Sequence, residues 1–327
     1  MNSIIGFNEQ FDLLKSQYNE NILHSSIIIH GPKGIGKRLF VNNFINEIFK
    51  NKFENTNFNH HYNLLENNTH PNVKIIDKSI DLKTKKLKLF ITIDQIRNLK
   101  KFLNESSSID NLDKFIIIDS ADDLNINSAN SFLKNLEEPK NNTFIFLITH
   151  QLSSLLPTIR SRCLKIKFNK HNFNNFNIIL SEKLNTISEE EIKFLFDLTY
   201  GSPGIAISLY ESEILDTIDI TLKSLESSII DKYKVEISNI VSNFDNEKFK
   251  SYLSIIKSLL MIINKLKNDS NYSNIFLSDK LKSLNNTLNS LNVINIIDRF
   301  DFLINNERDL FTYNLDKKIF MLKFLTN

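Results

Sequence analysis

A β-branched run, Ser26-Ile27-Ile28-Ile29, leads into Gly31-Pro32-Lys33-Gly34-Ile35-Gly36-Lys37. Apolar residues then recur at helical spacing, at Leu39, Phe40, Val41, Phe44, Ile45 and Ile48. Strand, glycine loop and helix in this order are the context in which G-x-x-x-x-G-K cradles phosphate. Glycines let backbone N–H groups converge on an anion, and the helix N-terminus adds the positive end of its dipole. Lys37 supplies a point charge for the outer phosphates. Glycine is scarce here, six in 327 residues, and three of the six stand in this loop. Gly31, Gly34, Gly36 and Lys37 are therefore the expected nucleotide-binding residues.

The position after Lys37 ordinarily holds Ser or Thr, whose hydroxyl binds Mg²⁺. This chain has Arg38. A guanidinium has donors and a fixed positive charge but no acceptor, so it cannot ligate a cation. The run Phe115-Ile116-Ile117-Ile118-Asp119 is a hydrophobic strand ending in an acid, the Walker B pattern, which places Asp119 to orient Mg²⁺. Many hydrolysing P-loop proteins follow it with Glu; here Ser120 has no carboxylate to take a proton from water. Asp122 and Asp123 read as acids at the start of the next helix. The expectation is a degenerate site. No cofactor is required, weak ATP or ADP binding is compatible with the loop, Mg²⁺ is disfavoured, and no metal ligands are assigned.

Short strands at Val73–Ile76, Phe115–Ile118, Phe144–Ile148 and Leu164–Phe168 alternate with amphipathic patterns at Ile91–Leu103 and Asn127–Glu138, the latter stopped by Pro139. This alternation predicts an α/β fold with a parallel sheet covered on both faces. Residues 51–70, rich in Asn and His, read as loop. After Phe168 the character changes. Residues 205–327, 123 in number, contain no Gly and no Pro but carry Leu, Ile and Phe at three- and four-residue spacing. Tight turns between strands use Gly or Pro, so this stretch is expected to be all helical. With 40 Lys+Arg against 38 Asp+Glu, the chain is not a polybasic nucleic-acid binder. Its single cysteine, Cys163, excludes a disulfide framework or a Cys-rich zinc site. No apolar run approaches the roughly 20 residues that span a bilayer, and the N-terminus lacks the pattern of a signal peptide, so a cytoplasmic setting and no membrane partner are expected.

Several segments together carry a resemblance: Ile4-Ile5-Gly6-Phe7, Leu23-His24, His70-Pro71-Asn72, Ile93-Asp94-Gln95-Ile96-Arg97, the run Asn127–Pro139 (NSANSFLKNLEEP), Ser161-Arg162-Cys163 and Gly201-Ser202-Pro203-Gly204. In order and spacing the chain resembles the delta prime family of bacterial DNA polymerase III clamp-loader subunits, which are AAA+ proteins. The resemblance covers most of residues 1–210; the last third resembles the family only in length and helicity. It implies an AAA+ domain of RecA-like P-loop topology over 1–168, a small helical lid over 169–210, and an all-α C-terminal collar domain over 211–327. It also implies partners: gamma/tau ATPase subunits and a delta subunit in a hetero-pentamer, and through that complex the sliding clamp and primed DNA. Delta prime acts in such a ring as a stator without ATP turnover, which agrees with Arg38 and Ser120. The lid position where ATPase relatives carry a sensor Arg is here Gly204.

By the same resemblance Arg162 is an arginine finger, reaching in trans to the γ-phosphate held by the next subunit. A planar fork can contact several phosphoryl oxygens at once. The plain alternative is a surface arginine capping a helix over 153–159. Thr149, at the end of a strand, stands where the family places a polar nucleotide sensor. Relatives often carry a zinc module before the His-Pro segment; this chain has His60, His61 and His70 there and no cysteine, so no zinc is expected. The lysine-rich segment Lys83–Lys88 reads as a solvated loop. A second reading is a competent AAA+ ATPase, gamma/tau-like or another replication-associated motor, holding Mg²⁺ by Asp119 alone with a base from elsewhere. A third, a signalling NTPase switch, leaves Ser161-Arg162-Cys163 unexplained.

Overall fold

The structure is a computed structural model that describes residues 5–53, 58–81, 87–104, 109, 112–225, 231–268, 276–279, 281 and 293–326. Lys83, Lys85, Lys86 and Ile4 lie outside the described residues. The chain divides into two units, Met1–Lys170 and His171–Asn327.

The first unit is built on five strands: β1 (Ser26–His30), β2 (Val73–Ile76), β3 (Lys114–Asp119), β4 (Thr143–Thr149) and β5 (Leu164–Lys167). Their order is β2-β3-β4-β1-β5, and every neighbouring pair is parallel. Alternate residues enter opposite layers, as the strand period of two demands. Ile27, Ile29, Phe115, Ile117, Phe146 and Ile148 pack with Phe40, Phe44 and Leu14 of α1 (Asn8–Asn19) and α2 (Lys37–Lys52). Ile28, Ile116, Ile118, Ile145 and Leu147 pack with Ile96, Leu99 and Phe132 of α4 (Ile93–Asn104) and α5 (Ile126–Glu137). The central strands thus read as continuous apolar runs because both faces are covered.

Strand order also sets where chemistry can occur. β4 lies between β1 and β3, so the carboxyl ends of these three strands are neighbours. Ligands of open parallel sheets sit outside those ends, where the strand order reverses. Gly31 leaves β1 so close to the end of β5 that an added Cβ would stand 2.2 Å from the Phe168 carbonyl oxygen.

Residues 51–70 are not simply loop. They hold the end of α2 and a helix α3 (Phe58–Glu66), whose Phe58, His61 and Leu65 are buried at spacings of three and four. Asn and His are indifferent helix formers, and packing overrides that preference. The His61 ring stacks on Phe53 with centroids 3.9 Å apart, and His70 stacks on Phe49 at 4.5 Å. His70 Nδ1 accepts from the Asn72 amide at 3.1 Å, so its proton sits on Nε2 and is donated to His61 Nδ1, also at 3.1 Å. The pair is therefore neutral in the core.

The second unit contains α7 (Phe173–Lys183), α8 (Glu189–Thr199), α9 (Pro203–Glu211), α10 (Ile218–Leu225), α11 (Lys232–Ser242), α12 (Asn246–Asn268) and helices Val293–Thr312 and Lys317–Thr326. Its described residues form no strand. Local signals set the boundaries. Asn172 caps α7, a Ser188–Glu191 capping box opens α8, left-handed Tyr200 and Gly201 end α8, and Pro203 begins α9. One apolar core runs from Phe176 to Leu325. Buried Arg299 donates to the carbonyls of Leu225 at 2.8 Å and Leu325 at 3.1 Å, placing a cation at two helix C-terminal ends.

Burial holds His70 down to about 4, with His61 and His60 adding to the effect, against an ordinary value of 6.5. The unfolded chain therefore takes up this proton near pH 6.5 and the folded chain only near pH 4. The His70 contribution to stability should be flat above pH 6.5 and fall as pH drops through that window, by roughly 3 kcal/mol. Urea denaturation followed by circular dichroism at successive pH values checks this, and His70→Leu should flatten the slope.

Candidate nucleotide site and the arginine at its edge

The loop between β1 and α2 has the backbone its glycines permit. Gly34 and Gly36 take φ of 80° and 92°, a region that L side chains avoid. Gly36 is the N-cap of α2, and Lys37 opens the helix. The Lys37 side chain folds back rather than outward. Its Nζ donates to the carbonyls of Gly31 at 2.7 Å and Pro32 at 2.6 Å, and to His150 Nδ1 at 3.0 Å. All three ammonium protons are thus held by the chain itself. Burial brings this ammonium down to about 8, against the upward pull of Asp122 and Asp119. Burial and the Lys37 charge also lower His150, which keeps its Nδ1 free to accept.

Arg38 lies across the space between α2 and β3. Its Nη1 is 3.5 Å from Asp119 Oδ2, its Nε donates to Asn42 Oδ1 at 3.0 Å, and its Nη2 donates to Asn68 Oδ1 at 3.1 Å. Mg²⁺ demands a near-octahedral set of oxygens. The hydroxyl that residue 38 would give is missing, and the carboxylate that Asp119 would give is paired with a guanidinium. These residues do not fit Mg²⁺. Among the described residues no group of three or more His, Cys, Asp or Glu could hold a metal ion.

Asp122 corrects the reading of its segment. It is not a simple helix-start acid but an acceptor hub in a single 3₁₀ turn, Ala121–Asp123. Oδ1 accepts from Thr149 Oγ1 at 2.6 Å, Ser154 Oγ at 2.6 Å and the Gln151 amide at 3.2 Å. Oδ2 accepts from the His150 amide at 2.7 Å and Ser120 Oγ at 2.5 Å. The Thr149 hydroxyl is therefore committed to Asp122. Asp123 points elsewhere, to Lys78 at 3.1 Å. Little in the local sequence marks Asp122 for this work, because four of its five donors stand at or after the end of β4, 27 to 32 residues away. Sequence reasoning also missed His150 as the cap of Lys37, 113 residues distant.

Arg162 belongs to a second cluster. The expected helix over 153–159 is split into a 3₁₀ turn, Leu152–Ser154, and a short α6, Pro157–Arg160. Pro157 holds Leu156 extended, with ψ of 139°, and so breaks the helix. Just beyond α6, Arg162 Nη2 pairs with Glu137 Oε1 at 2.8 Å, and Nη1 donates to the Thr158 carbonyl at 2.9 Å. Its side chain keeps 36% of its surface exposed. Cys163 turns into the core, where burial pushes its thiol up to about 12, so it is no nucleophile. In the other unit, Gly204 lies in the first turn of α9 and offers no side-chain cation.

Burial alone would raise the Asp122 carboxyl, but the hydrogen bonds from Ser120, Ser154, Thr149 and the His150 amide hold it well below the usual carboxylate range. Asp122→Ala should strand these donors and destabilise the protein by about 2–4 kcal/mol. Urea midpoints at pH 7 check this. The difference from the parent should shrink below pH 4, where the unfolded chain takes up this proton while the folded parent does not, so that the parent's stabilisation is progressively lost.

Residues 6–172 match the family model described as DNA polymerase III, delta subunit. The delta' subunit of DNA polymerase III from Pseudomonas aeruginosa is 31% identical over 156 residues, covering 46% of this chain and 45% of the relative. The Escherichia coli delta' subunit is 27% identical over 166 residues, covering 51% and 47%. A DNA polymerase III gamma subunit from Buchnera aphidicola is 35% identical over 116 residues, covering 34% of this chain and 32% of the relative. The chain spans about half the length of the delta' relatives it matches. With the glycine loop, Asp119 and Arg162 all inside the matched span, the chain belongs to the DNA polymerase III, delta subunit family, and its resemblance there is to delta prime subunits.

Proposed function

We propose that this chain works as the delta prime subunit of a clamp loader, in a hetero-pentamer with gamma/tau ATPase subunits and a delta subunit that places a sliding clamp on primed DNA. In this role its own loop does not hydrolyse ATP. Its contribution to chemistry is Arg162, offered in trans to the triphosphate held by the adjoining ATPase subunit.

The observation that carries the reading is the bracing of Arg162. Glu137 from α5 and the Thr158 carbonyl from α6 each take one edge of the guanidinium, while more than a third of the side chain stays accessible. At most three of its five N–H groups are engaged, counting a long contact to Ser161 Oγ. A braced fork with free donors can meet phosphoryl oxygens with little further loss of rotamer entropy. Non-hydrolysis of the chain's own site is supported by Ser120, which accepts no proton, and by Arg38 beside Asp119.

A second reading, a competent ATPase of the gamma kind, draws support from the intact G-x-x-x-x-G-K run and the gamma relative. It would need a metal beside Asp119 and a base in place of Ser120.

The isolated chain should turn over ATP negligibly. Combined with its partner subunits, clamp and primed DNA, it should support hydrolysis and loading. Arg162→Ala should assemble normally yet lower the stimulated rate by at least ~10-fold, toward the ~10³-fold that such arginines can contribute. Steady hydrolysis by the chain alone, lost in Lys37→Ala, would favour the second reading, and an unchanged rate with Arg162→Ala would remove the finger.

A further inference from the structure

We propose that Arg38 takes the place of the metal ion in this site, so that the glycine loop binds ADP or ATP without a divalent cation. Two features that together hold Mg²⁺ in a P-loop protein are a hydroxyl after the loop lysine and an acid at the end of the Walker B strand. Here a single side chain answers both. Arg38 stands at the first position, and its guanidinium sits 3.5 Å from Asp119, the second.

The guanidinium is fixed from two further directions. Asn42, one turn along α2, takes its Nε proton, and Asn68, just past α3, takes an Nη2 proton. With Asp119 on Nη1, two of its five N–H groups remain for an anion. The side chain is three-quarters buried, so its charge acts where solvent screens it poorly. A divalent cation brought to Asp119 would meet this charge at close range and is repelled. A phosphate oxygen brought to the same place meets two donors and a positive charge. The fixed cation therefore supplies what the metal supplies elsewhere, neutralisation of the outer phosphates, without any ligand-exchange step.

Lys37 is compatible with this ligand. Its present partners are two carbonyls and an imidazole nitrogen, all neutral acceptors. A phosphate oxygen carries formal negative charge, which none of these acceptors does, so an incoming polyphosphate can draw the ammonium away. The Thr149 hydroxyl stays with Asp122, and Ser120 gives no base, so nucleotide held this way is retained rather than split. The proposal depends on the loop being a nucleotide site. It does not depend on Arg162, so its failure leaves the role of Arg162 in a neighbour's site standing.

Calorimetric titration of the full chain with ADP and with ATP, once in excess EDTA and once in Mg²⁺, tests it. Affinity of the parent chain should be no tighter in Mg²⁺ than in EDTA, because nucleotide complexed with the metal must shed it to enter the site. Arg38→Thr restores the hydroxyl and frees Asp119; in EDTA it should bind roughly tenfold or more weakly than the parent, and Mg²⁺ should recover that loss. Mn²⁺ binding by paramagnetic resonance gives an independent readout: none with the parent and ADP, and a bound ion with Arg38→Thr and ADP. Nucleotide binding by the parent that requires Mg²⁺ overturns the proposal, as does the absence of binding in both buffers. Because the comparison of buffers uses the parent chain alone, it decides the matter even if the variant folds poorly.

Discussion

The site in the first unit depends on the insertion of β4 between β1 and β3. That placement is held by backbone hydrogen bonds along registers such as Ile28 with Leu147 and Ile117 with Phe146. Because both faces of these strands are buried, a slip of one residue would exchange the side chains of the two layers. The register is fixed accordingly, and with it the level at which each strand ends. Gly31, Asp119 and Thr149 come to one edge because the three strands stop there together.

Electrostatics then governs what this edge can do. Four formal charges converge: Lys37, Arg38, Asp119 and Asp122. Buried charges persist when they are paired or hydrogen-bonded, and each of these is. Lys37 has three acceptors, Arg38 has Asp119 and two asparagine oxygens, and Asp122 has five donors. The arrangement is self-contained, which suits a site that holds still rather than one that cycles. Arg162 differs in that its brace leaves part of the fork uncommitted. In a hetero-oligomer this division of labour would put fixed charge in one site and reactive charge in the next.

Much of the framework was legible in local pattern. The apolar runs gave the strands, the glycines gave the loop, and the absence of Gly and Pro after residue 204 gave the helical character of the last third. Both chemical defects, Arg38 and Ser120, were visible because each sits beside a motif residue whose role is fixed by spacing. Other features were hidden. The helix Phe58–Glu66 is written in Asn and His, poor helix formers, and exists because Phe58, His61 and Leu65 find a surface to cover. Asp122 looked like an ordinary helix-start acid, since all its donors but Ser120 lie at or beyond the end of a different strand.

By itself the sequence determined which residues could be adjacent through short-range geometry: a strand into a loop, a loop into a helix, a lysine followed by an arginine. It determined the kind of charge at each motif position, because a side chain carries its chemistry wherever it goes. Only the tertiary structure decided which distant groups meet. It placed the Arg38 guanidinium on Asp119, 81 positions away, His150 on Lys37 and Glu137 on Arg162. These pairings follow from strand order, and strand order is set by the joint burial of the whole sheet, a property that no local window contains.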